Sequence, residues 1–338
     1  MKNILITGGA GFIGSHFCRY IIENYNDENI ICLDALTYAG NLDNIKDLQN
    51  KPNFIFFKRN IVEINSLVEI FDNFKINSII NFAAESHNDR SILDPTTSAQ
   101  TNFNGVLNLL ELARKYKVEK FHQVSTDEVY GTTDDAFFEE QILLPNQPYS
   151  SSKAGGELLL RAWTETYNLH TTVTRGSNTY GSFQYPEKLI PLTITNAIDN
   201  LEIPVYGKGN QVREWMHVLD HCRGIDFVYR NGNKGEVYNL GSGYTTENIN
   251  IVQSILQYLN KPMSLIKYVN DRPGHDKRYF MNCDKIKNLG FELACEFKSH
   301  LHNTIQWYLD NENWWRKLKN DQNHYVKFVN EWYANGRK

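Results

Sequence analysis

Residues 7–15 read TGGAGFIGS. The stretch ends an apolar run, NILIT, and opens a segment, FIGSHFCRYIIENY (12–25), whose apolar residues recur three and four apart. That spacing is the period of an amphipathic helix. Gly8, Gly11 and Gly14 are three apart, and Gly9, Gly11 and Gly14 satisfy GxGxxG. Alone the pattern is weak; between a strand and a helix it marks a dinucleotide-binding turn. Glycine permits the tight turn and lets the backbone approach a pyrophosphate at the helix N-terminus. Gly14 is expected to let the helix pack close to the sheet. The competing reading is a glycine-rich turn with no ligand.

Outward from this turn, strand-like runs alternate with helix-like ones. The strands are NILITG, IICLDA, FIFFKR, SIINFAA, KFHQVS and HTTVTRG; SLVEIFDNF, TNFNGVLNLLELARKY and SSKAGGELLLRAWTETY read as helices. Such alternation predicts the α/β class, a Rossmann-type doubly wound parallel sheet with right-handed crossovers. Ligands then sit at the carboxyl ends of the strands. After residue 180 the alternation loosens. YPEKLIPLTITNAIDN is expected to be helical with Pro186 near its start, and TENINIVQSILQYLN is another helix. EVYNLGSG reads as a late strand near 236–241 that returns to the first sheet. Residues 1–180 are therefore the expected dinucleotide-binding domain. Residues 181–338 form mainly a smaller, interwoven C-terminal substrate-binding lobe. The aromatic tail from Trp307 should pack against the body or a partner subunit.

Formal charge is −4 over 338 residues, so no basic surplus points to nucleic acid or an anionic membrane. The five Cys are scattered without a CxxC, which argues against disulfides and structural zinc; no metal is expected. No apolar run approaches the ~20 residues of a membrane span. MKNILITGG already reads as a strand, so no signal peptide is expected and the location is cytoplasmic.

Asp34 ends the second strand, twenty residues past Gly14. An acid there accepts from an adenosine ribose hydroxyl and would repel a 2′-phosphate, predicting NAD over NADP. PYSSSK places Tyr149 and Lys153 four apart at a helix start, on one face. A neighbouring ammonium favours the phenolate, which can remove a proton from an alcohol. Thr126, Asp127 and Glu128 follow the fifth strand in STDEVYG. Adjacent carboxyls can hold different protonation states, one acid and one base, if burial and mutual repulsion raise one of them. Which one holds the proton stays open, and two solvated loop acids are the bland alternative. An extended backbone would aim the two side chains apart, so a turn must follow the strand.

The glycine loop, Asp34 and the Tyr149/Lys153 pair resemble the extended short-chain dehydrogenase/reductase family. Within it, the chain is most similar to nucleotide-sugar 4,6-dehydratases, those acting on dTDP-glucose above all. The likeness spans almost the whole chain through DALTYAGNLDNI, FAAESHNDRSI, STDEVYG, PYSSSKAGGE, SNTYG, YPEKLIP, YGKGNQVREW and DRPGHDKRY. Thr126-Asp127-Glu128 is its most specific part, since sugar epimerases of this fold normally lack the acidic pair. The resemblance implies that Tyr149, aided by Thr126 and Lys153, takes the sugar's 4-hydroxyl proton while hydride passes to NAD. Glu128 then removes the carbon 5 proton, Asp127 protonates the departing 6-hydroxyl, and hydride returns to carbon 6. NAD stays tightly bound and is regenerated each turnover.

By the same resemblance Phe12, Ile13, Thr37, Asn60, Ile61, Ala83, Ala84 and Thr101 join the glycines and Asp34 against the cofactor. Ser86 and His87, beside Glu85, lie near the sugar. Asn178, Glu187, Lys188, Leu189, Pro204 and Tyr206 are further contacts to the nucleotide-diphosphate or sugar. Arg213, Asn248, Arg272 and His275 are the remaining contacts; the two guanidinium groups suit a diphosphate. The family usually has Asp at position 60 and an apolar residue at position 88, where this chain has Asn. RGSNTYG also differs from the common CSNNYG, which leaves nucleobase and sugar open. A 4-epimerase, a uronic acid decarboxylase and a non-catalytic NAD-binding sensor are the alternatives. Family members are commonly homodimers through two helices per subunit; LNLLELARKY (107–116) and GGELLLRAW (155–163) could serve.

Overall fold

Apolar runs of the first half become parallel strands whose two faces are both covered. In the computed structural model, which describes residues 1–334, they are β1 (Lys2–Thr7), β2 (Glu28–Asp34), β3 (Phe54–Lys58), β4 (Ser78–Asn81), β5 (Lys120–Thr126) and β6 (His170–Gly176). The later strands are β7 (Asn178–Tyr180), β8 (Ile203–Tyr206), β9 (Val212–His217), β10 (Val237–Leu240), β11 (Thr245–Glu247) and β12 (Ile266–Val269). The main sheet runs β10-β6-β5-β4-β1-β2-β3 with every pair parallel. This is the Rossmann-type doubly wound sheet. Its strand order reverses between β1 and β4, and a crevice opens at such a switch point.

The helices of this half are α1 (Phe12–Asn24), α2 (Ile64–Asn73), α3 (Asn88–Leu93), α4 (Pro95–Ala99), α5 (Val106–Lys115) and α6 (Pro148–Tyr167). The pleat sorts the core. Ile4, Ile6, Ile30 and Cys32 pack on the α1 side, with Phe17 and Ile21. Leu5, Ile31 and Leu33 face the opposite layer, with Leu67, Leu109 and Leu160. Such period-two division is what a doubly covered strand requires. The helix expected from Thr101 starts earlier, at Pro95, and passes through a π-helical stretch, Gln100–Gly105, before α5.

A smaller lobe holds the three-stranded sheet β11-β9-β7 and the pair β12-β8. It is interwoven with the first: helix Val218–Asn231 joins the core beneath α1, and β10 pairs with β6. The helix expected from Tyr185 begins only at Leu189, so Pro186 precedes it. Pro191 sits in its first turn, where a missing N–H costs nothing. The helix expected from Thr246 begins at Asn248, because Thr245–Glu247 pairs with β9 as a strand. The aromatic tail packs on the body: Tyr308 and Trp315 are fully buried, and Trp314 Nε1 donates to Asn44 Oδ1 at 3.0 Å. Among the described residues no helix is long and apolar enough to cross a membrane.

Behind β5 and β6 lies one buried ion pair. Arg175 Nη2 donates to Glu157 Oε2 at 2.7 Å, with side chains only 5% and 4% exposed. Ser125 donates to the other Glu157 oxygen, and Arg175 Nη1 donates to the Tyr130 hydroxyl at 2.6 Å. Removing one member strands a buried charge, so Arg175→Ala should lower stability by about 3–5 kcal/mol. Urea unfolding checks this; a loss under about 1 kcal/mol, the worth of an exposed pair, would contradict it.

Candidate active site

The glycine loop earns its composition at two positions. Gly8 has φ +68°, and a Cβ there would stand 2.6 Å from the Ala83 nitrogen. A Cβ on Gly14 would stand 2.3 Å from the Gly8 carbonyl oxygen. Gly14 therefore lets α1 close on the loop rather than on a strand. Gly11 caps α1 without any side-chain hydrogen bond, leaving the first-turn N–H groups to a ligand. Asp34 holds the loop from β2: Oδ2 accepts from Ala10 N–H at 3.0 Å and Oδ1 from Leu36 N–H at 2.8 Å. Burial raises its carboxyl above the usual range, and these N–H groups oppose the rise.

Above the switch point lies a cleft of about 300 Å³. Every residue expected against the cofactor lines it: Gly8, Gly11, Phe12, Ile13 and Gly14 from the loop, Asp34 and Thr37, then Asn60, Ile61, Ala83, Ala84, Thr101, Tyr149 and Lys153. The donor set fits a dinucleotide, with uncapped helix N–H groups below and an acid at the end of β2. Asn60 spends its Oδ1 on Val62 N–H at 3.0 Å, bracing the turn after β3.

Thr126, Asp127 and Glu128 line the same cleft. Thr126 ends β5 with extended dihedrals, φ −142° and ψ 151°, and Asp127–Tyr130 then form a 3₁₀ turn. The Thr126 hydroxyl accepts from Glu128 N–H at 3.3 Å, closing that turn. Asp127 is 1% exposed, which excludes a solvated loop acid. Its Oδ1 accepts from the Thr126 hydroxyl at 3.2 Å, while Oδ2 is buried without a partner. Burial first, then the charges of Glu128 and Glu214, push this carboxyl well above its ordinary value; Arg213 and the Thr126 hydrogen bond oppose them. Glu128 is half-buried, and its Oε2 accepts from Asn88 Nδ2 at 2.6 Å.

Tyr149 and Lys153 are buried on one face at the start of α6, whose first turn is closed by the Ser150 hydroxyl accepting from Gln147 N–H at 3.3 Å. Lys153 Nζ donates to the Val124 carbonyl at 2.7 Å, fastening α6 to β5. Burial lowers its ammonium to about 8, opposed by Glu157. Burial and the Glu128 charge drive the Tyr149 hydroxyl upward, and a Thr126 hydrogen bond draws it down. The dominant influences on Tyr149 in the free protein are thus burial and Glu128, not the expected Lys153 cation.

Short helix α3 joins these parts. Asn88 reaches Glu128. Asp89 Oδ1 accepts from Arg272 Nη1 at 3.1 Å, and its Oδ2 accepts from the Tyr206 hydroxyl. Arg90 Nε donates to Glu187 Oε2 at 2.8 Å, and its guanidinium lies 3.9 Å from the Tyr38 ring centre. Ser91 Oγ accepts from Tyr149 N–H at 3.2 Å. Asn88, Asp89, Arg90 and Tyr38 were not anticipated as site residues. Their partners lie 40 to 183 positions away, beyond the reach of local spacing.

Of the expected substrate contacts, Ser86, Thr126, Asn178, Glu187 and Lys188 line the cleft. His87 instead caps α3, accepting from Arg90 N–H through Nδ1, with its ring against Phe328. Leu189 opens the helix after Lys188, and Pro204 and Tyr206 lie in β8. Arg213 Nη2 donates to the Asp276 carbonyl at 2.9 Å, and His275 Nδ1 meets Asp271 Oδ1 at 2.5 Å. Asn178 Oδ1, Asn248 Oδ1, Arg272 Nε and His275 Nε2 are buried without a partner. Each such atom costs about 1–3 kcal/mol unless a ligand satisfies it. A hydroxyl- and phosphate-rich ligand offers donors and acceptors to match. Outside this lining, ligand atoms of His217, Cys295 and His300 lie within 4.8 Å of one another. There His217 Nδ1 caps the following helix at Leu219 N–H, and His300 Nδ1 faces the Glu296 carbonyl.

Known proteins share this architecture. A model of the GDP-mannose 4,6 dehydratase family matches residues 5–304. The dTDP-glucose 4,6-dehydratase of Neisseria meningitidis serogroup B is 44% identical, over 95% of this chain and 97% of that one. A dTDP-glucose 4,6-dehydratase structure from Bacillus anthracis, solved with NAD, superposes with TM-score 0.88 at 46% identity, covering 94% of this chain and 100% of that one. DesIV from Streptomyces venezuelae, a dTDP-glucose 4,6-dehydratase also solved with NAD, gives TM-score 0.92 at 41% identity, with the same coverage. With Asp127 and Glu128 lining one cleft with Tyr149 and Lys153, and this likeness along nearly its whole length, the chain belongs to the family of GDP-mannose 4,6 dehydratase and dTDP-glucose 4,6-dehydratase.

Proposed function

We propose that the chain is an NAD-dependent hydro-lyase that converts dTDP-glucose to its 4-keto-6-deoxy sugar. The observation that carries this reading is the pairing of buried, partnerless Asp127 Oδ2 with Glu128, in one cleft with Tyr149 and Lys153. Bound NAD supplies a hydride acceptor that later returns the hydride. Tyr149 takes the 4-hydroxyl proton, with the Thr126 hydroxyl beside it. Lys153, anchored at the Val124 carbonyl, supplies positive charge. Oxidation at carbon 4 acidifies the proton on carbon 5, and Glu128 removes it. Asp127, whose carboxyl is raised well above its ordinary value by burial and its neighbours' charge, gives its proton to the departing 6-hydroxyl, and water leaves; when hydride comes back to carbon 6, carbon 5 regains a proton, from Glu128 or from solvent exchanged with it. Ser86, Asn178, Glu187 and Lys188 face the sugar side; Arg213, Asn248, Arg272 and His275 serve the nucleotide diphosphate. Residues 1–180 act as the cofactor domain and 181–338 mainly as the substrate lobe.

The protein works as a cytoplasmic homodimer in this reading. On α6, Leu158 is 61% exposed, and Phe103, at the helix before α5, is 38% exposed; this apolar surface suits a second copy.

Incubation of the purified protein with dTDP-glucose, and separately with UDP-glucose, tests the activity. The product should lose one water without added cofactor, and dTDP-glucose should react faster. An unchanged mass with inverted carbon 4 would mean an epimerase, and sugar binding absent altogether would favour a non-catalytic sensor. Gly14→Ala places a methyl against the Gly8 carbonyl, so it should weaken NAD binding by more than about tenfold, roughly 1.4 kcal/mol. Calorimetric titration of stripped protein measures this, and unaltered affinity would contradict the role given to the loop.

A further inference from the structure

Glu128 projects from a 3₁₀ turn into the cleft with three rotatable side-chain bonds, and a base acts only from a fixed geometry. Its backbone is held by Thr126. Among the described residues, one side chain donates to its carboxylate: Asn88, at 2.6 Å. A carboxylate only accepts, so the Asn88 amide must turn its NH₂ toward Glu128. The amide oxygen is then left buried and without a partner. Asn88 is itself rigidly based. It is the first residue of α3, and that helix is tied to Tyr149 through Ser91, to Arg272 through Asp89 and to Glu187 through Arg90. Other ionisable groups whose charge Glu128 influences are Asp127, Tyr149, Tyr279, Lys188 and Arg272. None of them makes a hydrogen bond to its carboxylate in the structure.

We propose that Asn88 is a positioning residue for elimination: its amide clamps one oxygen of Glu128 and leaves the other free to take the carbon 5 proton. The proposal rests on Glu128 being the base. Asn88 is not needed to form the 4-ketone, so its loss should separate the two halves of the reaction.

Two variants test it. In Asn88→Ala, elimination should slow by about tenfold, the lower end for a hydrogen bond to a charged group. Oxidation at carbon 4 should keep its rate, KM should hardly change, and reduced cofactor should accumulate during turnover. In Asn88→Asp the introduced carboxyl faces Glu128 directly. Two carboxyls this close share one proton. While protonated, the new group donates as the amide did; once ionised, it repels Glu128. Turnover of this variant should therefore approach the parent rate at the acid end and fall as pH rises. A parent-like pH profile in Asn88→Asp, or equal slowing of oxidation and elimination in Asn88→Ala, would overturn the positioning role. Glu128→Gln is run beside them. If it still eliminates, the base assignment has failed; if it is inactive in elimination while the Asn88 variants behave like the parent, only Asn88 has lost its role.

Discussion

Tyr149→Phe should convert dTDP-glucose about 10²–10⁴-fold more slowly than the parent, the span that a positioned general acid–base group supplies. The ring is 7% exposed at the start of α6, so deleting its hydroxyl leaves the shape of the cleft intact. What disappears is the acceptor for the 4-hydroxyl proton, and every later step depends on the ketone. Neither reduced cofactor nor dehydrated product should build up. Absorbance of the nicotinamide during a single turnover, with product mass from the same sample, measures both. Burial and the charge of Glu128 raise the phenol above its ordinary value in the free protein. Turnover within about tenfold of the parent would remove Tyr149 from its role.

Glu128→Gln should fail differently and almost as severely. The amide fills the space of the carboxylate but cannot take a proton, so elimination should fall by roughly 10²–10⁴-fold. Oxidation at carbon 4 should continue, and the enzyme should stall with reduced cofactor. Asp127→Asn should stall at the same stage for the complementary reason: the departing hydroxyl has no proton donor. Burial, then the charges of Glu128 and Glu214, raise the Asp127 carboxyl well above its ordinary value, which favours the proton-carrying form this role needs. Rapid-mixing absorbance distinguishes these outcomes from Tyr149→Phe. Release of water by Glu128→Gln at the parent rate would show that another group is the base.

The dinucleotide half of the site could be read from the sequence because its determinants are local. Gly8, Gly14 and Asp34 lie within one β-α-β unit, and each falls where the spacing placed it. Thr126, Asp127 and Glu128 were legible for the same reason: three consecutive residues at a strand end need only a turn to bring them together. The α3 hub was not legible. Asn88, Asp89 and Arg90 look like a polar helix start, and their partners Glu128, Arg272 and Glu187 come from other elements. Spacing equally gave no reason to place helix Val218–Asn231 under α1, since its apolar face matches any amphipathic helix. Pro186 misplaced a boundary because a proline signals a helix start only to within a turn; Pro191 occupies the first turn instead.

The account turns on elimination between two transfers of one hydride within a single cleft. Its most direct test uses dTDP-glucose carrying deuterium on carbon 4, in ordinary water and without added cofactor. The account predicts a product lighter by one water, with that deuterium on carbon 6. Deuterium retained on carbon 4, or lost to solvent while water is eliminated, would contradict it.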